Sequence, residues 1–67
     1  MISYEPFWEY IREHEISTYQ LIGYGITPDS IQRLRSGKNI STRTLNKLCA
    51  ELECSVSDVL KYVPDDE

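Results

Sequence analysis

The most constraining stretch of the sequence is residues 25–38, Gly25-Ile26-Thr27-Pro28-Asp29-Ser30-Ile31-Gln32-Arg33-Leu34-Arg35-Ser36-Gly37-Lys38. It contains a helix with both of its ends written out. Thr27 is an N-cap whose hydroxyl can accept from a first-turn amide. Pro28 then takes the first helical position, where the missing N–H costs nothing. Gly37 supplies the left-handed residue that closes such a helix, and Gly25 suits the same role for the segment before it. That preceding segment opens with a capping box, Ser17 followed by Gln20. Two short helices joined by a tight glycine turn are therefore expected. Ile31, six positions after Gly25, and Leu34, three further on, point into the core.

The remaining segments read as helices of the same length. Residues 4–14 place Tyr4, Phe7, Trp8 and Ile11 on one stripe, with Ser3 as the cap and Glu5, Glu9, Arg12 and Glu13 largely on the other side. Leu21 and Ile22 are the core positions of the second helix. A fourth helix starts after Ser41 or Thr42 and carries Leu45, Leu48, Cys49 and Leu52 inward. A fifth is announced by Ser55 and Asp58, with Val56, Val59, Leu60 and Val63 as its apolar side. No alternating strand pattern is present. The expected fold is all-α: a compact bundle of five short helices forming one domain over residues 1–67, with an ordered core of about 3–63 and an acidic tail at 64–67.

Several function classes are excluded by what is missing. No run reaches the ~18 apolar residues of a membrane span, and the N-terminus lacks the basic start and apolar run of a signal peptide. Two cysteines, Cys49 and Cys54, are too few for a disulfide scaffold. Among apolar neighbours they read as reduced thiols of a cytoplasmic protein. With one histidine they also fall short of a metal site, so no metal or cofactor is expected. His14 ends the first helix, where a cation complements the dipole. No nucleophile and orienting acid surround it, so the chain is not expected to be an enzyme, and no small-molecule ligand is evident.

The formal charge of −4 is unevenly spread. Residues 30–50 hold Arg33, Arg35, Lys38, Arg43 and Lys47 and no acid, giving +5. The remainder is −9. A local field steers a partner, and the sum does not.

The block from Gly25 to Lys38 resembles the recognition-helix segment of the lambda-repressor-like (Cro-type) helix-turn-helix family. The Leu45, Leu48, Leu52, Val56 and Leu60 pattern resembles that family's fourth and fifth helices, so the likeness spans roughly residues 4–62. Two positions depart from it. Leu21 to Gly25 is four positions where the family usually has five, and Ile22 stands where a small residue is usual, which implies a shortened second helix. The resemblance implies a transcriptional regulator that binds double-stranded DNA with its second motif helix, about residues 28–36, in the major groove. A homodimer is expected, because one such module covers a small interface. Helix 1, helix 5 or the tail would supply its contact, with Trp8, Tyr62 and Val63 as candidates.

At about 100° per residue, Asp29, Gln32, Arg33 and Ser36 lie opposite the buried side of that helix and are the base-contact candidates. Arg33 matches guanine O6 and N7, and Gln32 matches adenine. Asp29 either accepts from cytosine N4 or serves the helix dipole. Backbone-contact candidates are Thr18, Tyr19 and Gln20 at the start of helix 2, Ser30, and Lys38, Asn39, Thr42 and Arg43 around the start of helix 4. The resemblance also implies an ion pair between this helix and helix 1, here with its signs exchanged: Arg35 with Glu9 or Glu13. The competing reading is a protein-interaction module, an adaptor or antitoxin-like partner that keeps the fold and uses its acidic surface.

Overall fold

The computed structural model describes residues 1–65. Four helices, α1 (Glu5–Glu13), α2 (Thr18–Gly23), α3 (Pro28–Ser36) and α4 (Thr42–Leu52), are followed by a single 3₁₀ turn at Val56–Asp58. Two short strands, β1 (Ile2–Ser3) and β2 (Lys61–Tyr62), bring the two ends of the chain together. They pair antiparallel, with Ile2 opposite Tyr62 and Ser3 opposite Lys61.

The caps fall largely where side-chain chemistry puts them. The Ser17 hydroxyl accepts from the Gln20 amide at 3.1 Å, and the Gln20 carboxamide accepts from the Ser17 amide at 2.9 Å. Thr27 and Ser41 cap α3 and α4 by accepting from the Ser30 and Thr44 amides, without the reciprocal bond. Gly25 (φ +97°) and Gly37 (φ +76°) both take left-handed backbone. For α1 the cap is Tyr4 and not Ser3, although the Ser3 hydroxyl still accepts from the Glu5 amide at 3.2 Å.

Phe7, Leu21, Leu34, Leu48 and Val59 are fully enclosed, with Tyr4, Ile11, Ile26, Ile31 and Leu52 around them. Polar aromatic atoms of α1 and its cap serve carbonyls at the C-terminal ends of α3 and α4. The Trp8 indole N–H donates to the Leu34 carbonyl at 3.2 Å, and the Tyr4 hydroxyl donates to that of Lys38 at 2.9 Å. The Tyr10 hydroxyl donates to the Leu52 carbonyl at 3.0 Å. Those carbonyls lie at or just past helix C-termini, where intrahelical donors run out.

Three expectations are corrected. The fifth helix is one 3₁₀ turn, because residues 61–62 leave the helical path to pair with Ile2–Ser3 and satisfy their backbone groups there. Val56 and Ile22 are exposed, because Val59 and Leu21 occupy the inward positions of their segments. Arg35 forms no ion pair with Glu9 or Glu13 among the described residues. Its guanidinium lies over the Trp8 ring, 5.6 Å from the centroid. Of the expected acidic tail, Asp66 and Glu67 lie outside the described residues.

Candidate nucleic-acid interface

Helix α3 is anchored by Ile31 and Leu34, and their burial turns the opposite side outward. Asp29, Gln32, Arg33 and Ser36 are all exposed on that side. Three of the four side chains, those of Asp29, Arg33 and Ser36, are already engaged within the chain. The Arg33 Nε donates to Asp29 Oδ2 at 3.0 Å, and its Nη1 donates to the Asn39 carbonyl at 3.2 Å. The Ser36 hydroxyl donates back to the Gln32 carbonyl at 2.8 Å, leaving the Gln32 side chain unconstrained by it.

The loop after α3 returns tightly. The Lys38 amide donates to the Arg33 carbonyl at 2.9 Å, and the Lys38 carbonyl is held by Tyr4. The start of α4 therefore stands beside α3, with a cleft of about 260 Å³ between them. Asp29, Ser30, Arg33 and Asn39 all line this cleft together with Ser41 and Thr44. Thr42 and Arg43 are exposed in the first turn of α4. Ser30 is half-buried, and its amide and hydroxyl both bond Thr27, so it belongs to the α3 cap.

Thr18, Tyr19 and Gln20 form a separate group at the start of α2. Tyr19 is 83% exposed, Thr18 is half-buried, and the Gln20 carboxamide is committed to the capping box. No hydrogen bond among the described residues ties this group to α3.

Lys47, one of the five cations of residues 30–50, joins the contact candidates only in the structure. Lys47 lies one turn after Arg43 and reaches the glycine turn: a Cβ added to Gly25 would stand 2.7 Å from Lys47 Cε. Arg43 and Lys47 share a second cleft, of about 190 Å³, with Thr27 and Ser30. Their spacing of four on one helix was the available signal. The groups with displaced pKa values lie elsewhere, at the far end of α4. Burial pushes the Cys54 thiol up to about 11, with Cys49 and Asp58 adding to it. Burial likewise raises the Tyr10 hydroxyl, reinforced by Cys54, Asp58 and Glu53.

A family model for the Cro/C1-type HTH DNA-binding domain matches residues 7–65. The chain belongs to the Cro/C1-type helix-turn-helix family. Comparison with curated protein sequences gives no match. Among solved structures, this Cro/C1-type domain is similar to the crystal structure of the transcriptional regulator VanUg in its form II, with a TM-score of 0.86 and 22% identity. The match covers 96% of this chain and 87% of VanUg, a likeness of fold. Within the Cro/C1-type domain, α2 and α3 are the two motif helices and Gly25 is their turn. No helix is long and apolar enough to cross a membrane, and no three metal-binding side chains cluster among the described residues.

Proposed function

We propose that this chain is a sequence-specific regulator of transcription that acts by occupying double-stranded DNA, with α3 in the major groove and no catalytic activity of its own. The observation that carries the reading is the outward face of α3. Gln32 and Arg33, two side chains with the donor geometry for purine edges, are exposed there, while Ile31 and Leu34 lock the helix from behind. Lys38, Arg43 and Lys47 are exposed in the loop after α3 and on α4, where they supply charge for phosphates, and Thr42, Asn39 and Ser30 add polar groups. Tyr19 and Thr18 extend the contact to the far side of the motif, with Gln20 held back by its capping role. Ser36 completes the helix by bonding to its own turn, which favours a structural part for it.

The domain occupies about residues 3–63, works in the cytoplasm and acts as a homodimer. One module of this kind covers only about 600–1,000 Å² of DNA interface, and two would read half-sites about 34 Å apart. The dimer surface lies on the terminal ribbon, where Met1, Ile2 and Tyr62 are exposed apolar side chains. Trp8 is set aside for this role, since its indole already serves α3 and Arg35.

The test selects a preferred duplex from a random library and then compares two variants. Arg33→Ala should cost about 1–3 kcal/mol on that duplex and relax preference at one base pair. Arg43→Ala should weaken all duplexes about equally and make the salt slope shallower by about one unit. Equal losses on preferred and random DNA for Arg33→Ala reject this docking of α3. Absence of any salt-dependent binding favours the protein-interaction module.

A further inference from the structure

Asp29 is an acid on the face of α3 that is turned toward a polyanion. Its carboxylate does not serve the capping network of Thr27 and Ser30, which is complete without it. It accepts from Arg33 Nε instead, with both side chains largely exposed, 77% for Asp29 and 48% for Arg33. An ion pair so exposed contributes little to stability. As a first-turn acid Asp29 also complements the dipole of α3, but that effect requires no contact with Arg33.

A guanidinium has five N–H donors in a fixed plane. Asp29 takes the one on Nε, and the Asn39 carbonyl takes one on Nη1. Both donors on Nη2 and the second on Nη1 are left. Nη1 and Nη2 form the distal edge of the fork, the pair of parallel donors that meets guanine O6 and N7. The two internal bonds thus hold the group at two of its three nitrogens and leave Nη2 free of any internal bond. An arginine on a flexible stem would otherwise reach any nearby phosphate, which lends affinity to every sequence alike.

We propose that Asp29 is a specificity-determining positioning residue: with the Asn39 carbonyl it fixes Arg33 so that its distal edge meets one base, and it competes with phosphates for Arg33 on DNA that lacks that base. This rests on the reading of α3 as the base-reading helix. Asp29 lowers affinity for all DNA through its charge and lowers it most on wrong sequences, so it trades strength for discrimination. The carboxylate needs no base partner of its own.

Two substitutions separate charge from positioning, because Asp29→Ala and Asp29→Asn remove the same charge. Asparagine keeps an acceptor oxygen at the same reach, and alanine does not. The probes are the preferred duplex from a random library and its single-base-pair replacements, with circular dichroism to confirm folding. Both variants should bind random duplex more tightly than the parent. Asp29→Ala should reduce discrimination by about fivefold or more at the base pair whose preference Arg33→Ala abolishes. Asp29→Asn should retain part of that discrimination. In an Arg33→Ala background, changing Asp29 should leave every base-pair preference where it was. If Asp29→Ala and Asp29→Asn give the same discrimination, or Asp29→Ala keeps the parent's in full, the positioning role is overturned while Arg33 remains the reader. If Arg33→Ala itself leaves every preference intact, the base-reading role fails and the positioning role fails with it.

Discussion

Tyr4, the cap of α1, and Tyr10 within it each donate to a carbonyl near the end of another helix, and removing each hydroxyl separates stability from docking. Tyr4→Phe deletes the donor to the Lys38 carbonyl at 2.9 Å, and Tyr10→Phe deletes the donor to the Leu52 carbonyl at 3.0 Å. Neither change removes ring volume. Tyr4 is only 7% exposed, so water replaces its bond poorly and the loss should be about 1 kcal/mol, the usual net worth of a neutral hydrogen bond. For a domain this small that lowers Tm by about 4–8 °C. Urea unfolding followed through Trp8, the sole tryptophan, measures it.

The functional consequences should diverge. Tyr4 fixes the loop that presents Lys38 and Asn39, whereas Tyr10 ties down the C-terminus of α4 on the side away from α3. Tyr4→Phe should weaken DNA binding by up to about fivefold, the equivalent of about 1 kcal/mol of ordering deferred to the complex. Tyr10→Phe should lose stability and keep its DNA affinity, provided binding is measured where both variants are fully folded. Equal affinity losses would refute the idea that the loop after α3 is held in place for docking. No affinity loss from Tyr4→Phe would refute it as well.

Phe7→Ala empties a fully buried site and should cost about 3–5 kcal/mol; the whole domain has roughly 3–10 kcal/mol to lose, so far-ultraviolet circular dichroism should show extensive unfolding at 37 °C. Glu53→Gly should raise stability by about 0.5–1 kcal/mol, because Glu53 sits at φ +54°, where a β-carbon is strained and only part of the relief is returned through the freer unfolded chain. For Cys54, a folded pKa of about 11 against the ordinary 9.0 favours the protonated thiol in the folded state. Its contribution is whole below pH 9 and fades as pH rises through 11, so the urea midpoint should drop between pH 9 and 11, and less so in Cys54→Ser.

What the sequence made legible follows the range of the interactions involved. Caps at Ser17, Thr27 and Ser41 and the glycines at 25 and 37 are local, since each needs only residues within one turn, and all were readable. The pairing of Ile2–Ser3 with Lys61–Tyr62 links residues some sixty positions apart and has no local signature, so the chain past Asp58 was misread as helix. Glu15 and Glu53 adopt left-handed backbone at helix ends without the glycine that usually announces it. The outward face of α3 followed from period alone. The internal engagement of Arg33 did not, because Asn39 enters it through a carbonyl that every residue type possesses. The family resemblance gives Arg35 an acidic partner on α1, whereas its guanidinium lies over the Trp8 ring of that helix.

The distribution of cations gives the last expectation its magnitude. Five of the seven basic residues lie between positions 30 and 50, but they are not equally available to phosphates. Arg33 is held by Asp29, and Arg35 lies over the Trp8 ring. Among the described residues Lys38 and Arg43 form no ion pair, and Lys47 approaches Glu51 only at 4.0 Å. Three cations are thus free to displace counterions from a duplex. At about 0.9 per phosphate, log affinity should fall with log salt at a slope of about −3 per protomer. Glu51→Gln should leave that slope unchanged, since a contact so long and exposed does little to withhold Lys47. A slope near −5 would mean that Arg33 and Arg35 abandon their internal partners for phosphates, against the fixed geometry described for Arg33. A slope near −1 would mean that the α4 cations do not reach the duplex, and that α3 docks without the flank on which its orientation depends.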